Sequence, residues 1–177
     1  CGFNGRYGRQ ARVNPERMSE SMTVRITTLL LVLLAALLPA DHVRPDEGTE
    51  LRLMTYNIRY DTPKDGENAW PERREAVISL IRFHGPDLLG VQEARVHQRD
   101  WMQSSLPGYL AVGVGRDDGK SGGELSPLFI KRERFDVHES GTFWLSTTPH
   151  KPSKGWDAAF PRIATWARVT DRVTGSR

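Results

Sequence analysis

Two short apolar segments flank one amphipathic segment near the middle of the chain, and this arrangement constrains the fold more than any other feature. Residues 51–58 (LRLMTYNI) are apolar on both faces and predict a central strand. Residues 71–83 repeat apolar side chains at helical spacing and predict a helix, and residues 87–91 (DLLGV) predict a second buried strand. A strand, a helix and a strand of this length favour a crossover unit whose two strands run parallel.

Polar side chains stand where the two predicted strands end. Asn57 lies at the end of the first strand, and Glu93 follows the second. Parallel strands joined by a crossover end at the same edge of a sheet, and ligands of open α/β sheets bind outside that edge. The sequence therefore predicts that Asn57 and Glu93 converge on one crevice.

The rest of the chain alternates turn-rich and apolar segments. Residues 61–68 (DTPKDGEN) carry turn residues throughout and predict a surface loop. The later elements are one short helix and four strands, which we predict at residues 96–106, 109–114, 125–135, 137–145 and 163–169. Residues 51–177 are therefore expected to form one domain that mixes helices and strands.

The first fifty residues differ in composition from the rest. Residues 1–21 are rich in Gly, Arg, Asn and Ser and are interpreted as an upstream or disordered segment. Residues 22–40 join a positive flank, an apolar run at 29–38 and a small-residue exit, as in a secretory signal peptide, with a linker at 41–50. The apolar run is about half of the ~20 residues that a membrane span needs. We expect a secreted or periplasmic protein with no membrane span after cleavage; a buried core helix and an uncleaved anchor are the alternatives.

Charge and cysteine content exclude some kinds of site. The 25 basic and 22 acidic residues are interspersed, and the formal charge of +3 gives only a mild bias toward anionic partners. Cys1 is the only cysteine, so neither an intrachain disulfide, a cysteine-rich zinc site nor a cysteine nucleophile can form. Any metal is expected to have oxygen or imidazole ligands.

Three short motifs resemble the opening motifs of the endonuclease/exonuclease/phosphatase superfamily. They are residues 55–59 (TYNIR), 86–89 (PDLL) and 91–93 (VQE), and the Gln-Glu pair is the most specific of them. Further downstream, five segments resemble a secreted bacterial branch of that family: residues 123–124, 127–129, 143–146 (FWLS), 155–158 (GWDA) and 161–168 (PRIATWAR). The resemblance implies an α+β fold, a four-layer α/β/β/α sandwich truncated here to about its first half.

The resemblance also implies a metal-dependent hydrolase of phosphate esters. It makes Glu93 the metal-binding carboxylate and Asn57 a catalytic residue that orients the phosphate near the metal. Mg²⁺, or Mn²⁺ in its place, suits such a site, because Mg²⁺ prefers oxygen ligands and takes one or two protein carboxylates. Some family members have an acidic residue where this chain has Arg59, so the number of metal ions stays open. An ordinary solvated strand end is the alternative for both residues.

Further candidates for substrate binding come from the downstream motifs. Arg162 falls where the resemblance implies a phosphate-contacting arginine, and a structural salt bridge is its alternative. Trp156 and Asp157 are expected at the substrate rim, with a packed anchor as the alternative for the Trp. Glu124 is a weaker candidate for a group behind the site.

Some motifs of the family do not occur in this chain. They are an Asn-Thr-His strand, a Gly-Asp-Phe-Asn segment and a Ser-Asp-His segment, to which the resemblance assigns the acid/base groups. We therefore expect the full-length parent to be a phosphoesterase, with a nuclease or general phosphodiesterase favoured. This stretch alone is expected to be inactive and to leave an apolar face of its first sheet uncovered.

The expected partner is a phosphate-ester substrate, with nucleic acid among the candidates. No protein partner is implied, and the protein is expected to be a monomer. Two other classes of function stay open at this point: a non-catalytic secreted binding module and a membrane-anchored adaptor.

Overall fold

The computed structural model describes residues 50–177. The interpretations of residues 1–49 as an upstream segment, a signal peptide and most of a linker lie outside the described residues. Within residues 50–177, no helix combines the length and the apolar character that crossing a membrane requires.

A parallel crossover unit forms the first part of the fold. Strand β1 (Leu53–Asn57) is followed by helix α1 (Trp70–His84) and strand β2 (Leu88–Gln92). The two strands pair in parallel along their whole length, which confirms the predicted crossover and brings both carboxyl ends to one edge. Helix α1 ends at Gly85, whose left-handed backbone (φ 52°) lets its N–H donate to the carbonyl of Ile81 at 2.9 Å.

Two more strands complete a four-stranded sheet. Helix α2 (Val96–Ser105) and strand β3 (Tyr109–Val112) precede strand β4 (Leu128–Lys131), and the strand order is β1-β2-β4-β3. Strand β4 is antiparallel to both neighbours. The strand predicted at residues 125–135 was too long, because Pro127 has no N–H to donate to a sheet and a turn follows Lys131.

The last two strands form a separate antiparallel pair. Strand β5 (Phe135–Trp144) pairs with strand β6 (Ile163–Asp171) and not with strand β4, which precedes it in the chain. The turn between β4 and β5 places Arg134 between the two sheets. Its Nη1 donates to Asp87 Oδ2 at 2.6 Å and its Nη2 to Asp171 Oδ2 at 3.0 Å.

The core lies between the helices and the four-stranded sheet. Its most buried side chains come from α1, α2, β2 and β4 and are at most 1% exposed: Ile78, Ile81, Met102, Leu89, Val91 and Phe129. The other sheet packs near β3 and β4, since Leu110, Ile130, Phe135 and Val137 line one cavity. The fold is thus the expected α+β sandwich, represented within residues 50–177 by helices, a four-stranded sheet and a two-stranded sheet.

The β1 end of the four-stranded sheet is not covered by other parts of residues 50–177. Leu53, Thr55 and Asn57 lie on one face of β1 and are exposed, Leu53 to 69%. This agrees with the expected uncovered face. It also leaves the side chain of Asn57 accessible at the sheet edge.

Candidate active site

Asn57 and Glu93 are in direct contact at the carboxyl ends of β1 and β2. Asn57 Nδ2 donates to Glu93 Oε1 at 2.9 Å, and Asn57 Oδ1 accepts from the backbone N–H of Arg59 at 2.9 Å. The predicted convergence of the two side chains is therefore observed. Their catalytic and metal-binding roles stay predictions.

The backbone just beyond each strand has an unusual conformation. Arg59 (φ 58°) and Glu93 (φ 59°) both occupy the left-handed region. That region costs a non-glycine residue about 1–3 kcal/mol and persists only where the surroundings impose it. Such strain is common at functional sites, and here it sets the direction from which Glu93 reaches Asn57.

A buried glutamine ties the two strained segments together. Gln98 of α2 is 0% exposed, and its Oε1 accepts from the backbone N–H groups of Asp61 and Arg95, each at 2.9 Å. Its Nε2 donates to the carbonyl of Arg59 at 3.0 Å. Sequence analysis missed this residue. Its signal was a Gln at the third position of a helix, where it can cap the preceding backbone.

Arg73 of α1 holds the segment after β1 from the other side. Its Nη2 donates to the carbonyl of Arg59 at 2.7 Å and its Nε to the carbonyl of Asn68 at 2.8 Å, and its Nη1 also bonds the carbonyl of Ile58. Two of these bonds satisfy the carbonyls of the residues that directly follow β1, and the third links α1 to the end of the 3₁₀ segment at Asn68. The segment that carries Asn57 is therefore fixed before any ligand binds.

The segment at residues 61–68 is more ordered than predicted. It contains a 3₁₀ helix (Pro63–Asn68) instead of an irregular loop, because the side chain of Thr62 caps the N–H of Lys64. Arg59 donates to both oxygens of Asp65, with Nε at 3.0 Å and Nη2 at 2.9 Å. These hydrogen bonds lower the pKa of Asp65 and raise the pKa of Arg59. Arg59 is thereby held by a carboxylate outside the Asn57–Glu93 pair.

A cavity of about 350 Å³ opens above the pair. It is lined by Asn57, Gln92, Glu93, Arg116, Glu124, Ser126, Leu145, Pro161, Arg162 and Ile163. The structure therefore brings Arg162 and Glu124 to the same place as Asn57 and Glu93, as the sequence analysis expected.

Two arginines give this cavity its positive groups. Arg162 is exposed, and its side chain makes no hydrogen bond or ion pair within residues 50–177, so the alternative of a structural salt bridge is not observed there. Arg116 was missed, because no motif or predicted element in the sequence marks it as part of a site. Its Nη1 bonds Glu124 Oε2 at 2.9 Å, and its guanidinium lies 5.0 Å from the ring centre of Phe160.

Trp156 and Asp157 do not line the cavity. Both are exposed on the loop that leads to Arg162, and Trp156 is 84% exposed with a left-handed backbone (φ 52°). The alternative of a packed tryptophan anchor is therefore wrong.

A larger cavity lies at the other end of β1. It measures about 660 Å³ and is lined by Glu50, Leu51, Arg52, Leu53, Met54, Phe83, His84 and Pro86. Among residues 50–177, only one carboxylate borders this cavity, and neither the partner amide nor the pair of arginines found at the smaller cavity is present. The smaller cavity is therefore the better candidate for a catalytic site.

The donor set fits a hard divalent cation. Within residues 50–177 there is no group of three or more His, Cys, Asp or Glu side chains that could hold a metal. Zn²⁺ usually takes at least three such ligands, whereas Mg²⁺ takes one or two carboxylates and keeps several waters. Glu93 Oε2 has no hydrogen-bond partner in the described part of the chain, so one carboxylate oxygen is available to such an ion.

Other proteins resemble this chain in sequence and in fold. The endonuclease/exonuclease/phosphatase family profile matches residues 54–166. A solved structure of an endonuclease/exonuclease/phosphatase from Bacteroides vulgatus is 44% identical, with 71% of this chain and 48% of that chain covered and a TM-score of 0.69. A mannosyl-6-phosphatase of Bacteroides thetaiotaomicron is 42% identical, with the same coverages and TM-score.

A more distant match shows the fold alone. The catalytic domain of human Nocturnin is 23% identical, with 71% of this chain and 45% of that chain covered and a TM-score of 0.55. The chain spans about half the length of the solved structures that it matches. It belongs to the endonuclease/exonuclease/phosphatase family.

Proposed function

We propose that Asn57 and Glu93 form the metal-binding part of the active site of a phosphoesterase. The observation that carries this proposal is the 2.9 Å hydrogen bond between the two side chains beneath a cavity that also exposes Arg162. A bound Mg²⁺ or Mn²⁺ supplies positive charge that stabilises the phosphoryl oxygens and the leaving group.

The residues of the cavity position the metal-binding carboxylate and bind the phosphate. Asn57 fixes one oxygen of Glu93 and leaves the other oxygen for the cation. Arg162 binds non-bridging phosphate oxygens through a planar guanidinium, which suits two oxygens at once. The reaction forms a bond from a water oxygen to phosphorus and breaks the ester P–O bond, and a proton passes to the leaving alcohol.

General acid/base groups are proposed to come from sequence outside the described residues. No histidine lines the cavity among residues 50–177, and such groups typically contribute ~10²–10⁴ in rate. The 177-residue chain by itself is therefore expected to bind metal and phosphate without measurable turnover.

A phosphomonoester is the substrate class that the comparisons favour. The named relative at 42% identity is a mannosyl-6-phosphatase. Nocturnin, at 23% identity, supports the fold but not a substrate. A nuclease or general phosphodiesterase, favoured by the sequence alone, stays a prediction that the same assay tests.

Hydrolysis by the product of the whole natural reading frame tests this proposal. We expect Mg²⁺-dependent release of 4-nitrophenol from 4-nitrophenyl phosphate, and slower release from bis(4-nitrophenyl) phosphate. Glu93→Gln is expected to lower kcat/KM about a thousandfold, since a metal contributes several kcal/mol at the transition state.

A matched control is Glu75→Gln, which changes an exposed carboxylate on α1 and is expected to leave kcat/KM unchanged. Equal activity of the Glu93→Gln variant and the unchanged enzyme would contradict the assignment. Absence of turnover on both esters would favour the non-catalytic binding module.

A further inference from the structure

The loop that carries Trp156 is attached to the cavity at both ends. At its start, Gly155 packs so closely on Leu145 that an added Cβ would lie 2.1 Å from the carbonyl oxygen of Leu145, which is a cavity residue. At its end, Phe160 packs over the guanidinium of Arg116, another cavity residue, at 5.0 Å. The loop is therefore a rim of the cavity, although the side chain of Trp156 does not line its interior.

Trp156 is both exposed and strained at this rim. An indole that is 84% exposed contributes little to packing. Its left-handed φ of 52° is an outlier for a bulky residue. Packing within the described residues explains neither feature, and strain of this kind is retained where a function depends on it.

The chemistry beside the indole favours one class of ligand. Asp157 is exposed, and its carboxylate, an acceptor only, suits the hydroxyl groups of a polyol. The apolar C–H face of a sugar ring packs on an exposed indole, whose body is apolar and whose edge is polar. A nucleic-acid strand is disfavoured, because its phosphates would meet the carboxylate of Asp157.

We propose that Trp156 and Asp157 form a sugar-binding rim that selects phosphorylated hexoses for the phosphate site formed by Asn57, Glu93 and Arg162. This inference rests on the proposed function, because it assigns the alcohol part of the same substrate. The indole contacts the face of the ring, and the carboxylate of Asp157 accepts hydrogen bonds from ring hydroxyls.

Steady-state kinetics on the product of the whole natural reading frame test the inference. The substrates are mannose 6-phosphate, glucose 6-phosphate and ethyl phosphate, which carries no ring. For Trp156→Asn we expect KM for the hexose phosphates to rise about tenfold, as for the loss of about 1.4 kcal/mol of ring contact. We expect kcat and the kinetics of ethyl phosphate to stay within about twofold of the unchanged enzyme. The reason is that the variant loses only a contact with the sugar ring that is equally strong in the bound substrate and in the transition state.

Thermal unfolding of the same variant separates a binding role from a structural one. Asn tolerates the left-handed region better than Trp, so the Tm of Trp156→Asn is expected to be equal to or higher than that of the unchanged protein. A structural tryptophan would instead lower the Tm when replaced. Phe83→Asn serves as the control, because Phe83 is 82% exposed and lies outside the loop; it is expected to leave KM unchanged.

The outcomes separate the two proposals. Retained Mg²⁺-dependent turnover with the same hexose-to-ethyl preference in Trp156→Asn would overturn the sugar rim alone. If Trp156→Asn raised KM for nucleoside monophosphates as much as for hexose phosphates, the indole would bind a base instead of a sugar, and the choice of a sugar would be overturned. Absence of turnover on every phosphate ester would overturn the proposed function and the substrate assignment with it.

Discussion

At the scale of single residues, the site depends on an amide that serves two partners. Asn57 donates to Glu93 through Nδ2 and accepts from the backbone of Arg59 through Oδ1. A carboxylate at this position could only accept, so it could not donate to Glu93. The choice of Asn therefore keeps the carboxylate of Glu93 in place before a cation binds.

Asn57→Asp is expected to tighten Mn²⁺ binding about tenfold, because hard cations bind more strongly as carboxylate ligands are added. Without the cation, the introduced carboxylate faces Glu93 within hydrogen-bond distance, so the variant is expected to unfold at a lower urea concentration at pH 7. Titration of free Mn²⁺ by electron paramagnetic resonance measures the first effect. Asn68→Asp, on an exposed residue outside the cavity, is the control, and unchanged or weaker Mn²⁺ binding by Asn57→Asp would contradict the account.

The sequence was informative about residues that belong to a motif and silent about those that support them. Asn57, Glu93 and Arg162 could be located because strand ends and family motifs mark them. The helix position of Gln98 marks it only as a cap, and its contacts with the segment after β1, like the place of Arg116 at the cavity, arise from packing between segments distant in the chain. A polar residue in a helix or a turn is usually solvated, and only tertiary packing reveals that it is buried.

At the scale of elements, Arg134 is the main polar link between the two sheets. It bonds Asp87, just before β2, and Asp171, at the end of β6, and its side chain is only 10% exposed. Removing one partner of a buried ion pair leaves an unpaired charge, which typically costs about 3–5 kcal/mol. Arg134→Ala is therefore expected to lower the free energy of unfolding by about 3 kcal/mol, as measured by urea denaturation. A change below about 0.5 kcal/mol would show that the sheets hold together without this link.

Acid should weaken the same link. The hydrogen bond from Arg134 lowers the pKa of Asp171 below its usual range, so its stabilising effect is complete above the unfolded pKa of about 3.9 and is lost as the pH falls through the folded pKa. Asp171→Asn should thus reduce stability at pH 7 and should differ little from the unchanged protein once the pH is below the folded pKa of Asp171. Urea midpoints measured across that range check this, with Asp157→Asn as an exposed control. A stability difference that persists undiminished at low pH would contradict it.

Elements were predictable where periodicity and turn residues agreed. The crossover of β1, α1 and β2 followed from three segments with clear patterns, and the structure confirms it. The sequence did not show that β4 and β5 belong to different sheets. The turn at Arg134 redirects the chain between them through contacts with carboxylates that are distant in the sequence.

At the scale of the whole molecule, the four-stranded sheet has an edge at β1 that residues 50–177 leave unpaired. Strand β1 is an edge strand of the four-stranded sheet. Leu53 on its open face is 69% exposed, and the nearby Leu51 is 44% exposed. Unpaired edges beside exposed apolar side chains promote association. This surface adjoins the site, since β1 also carries Asn57.

The 177-residue chain is accordingly expected to self-associate with rising concentration. Leu53→Lys places a charge on the open face of β1 and is expected to lower the associated fraction several-fold in sedimentation velocity, with little effect on the fold. Val173→Lys, at a residue 55% exposed beyond β6, is the control. Equal association of all three proteins would show that another surface is responsible.

The central claim is that Glu93, held by Asn57, binds a divalent cation at the joined ends of β1 and β2. Paramagnetic broadening of backbone amide resonances by Mn²⁺, measured by nuclear magnetic resonance on the chain itself, tests it most directly. The account predicts that broadening centres on residues 57–59 and 92–94 and disappears in Glu93→Gln. Broadening centred elsewhere, or unchanged in that variant, would contradict it.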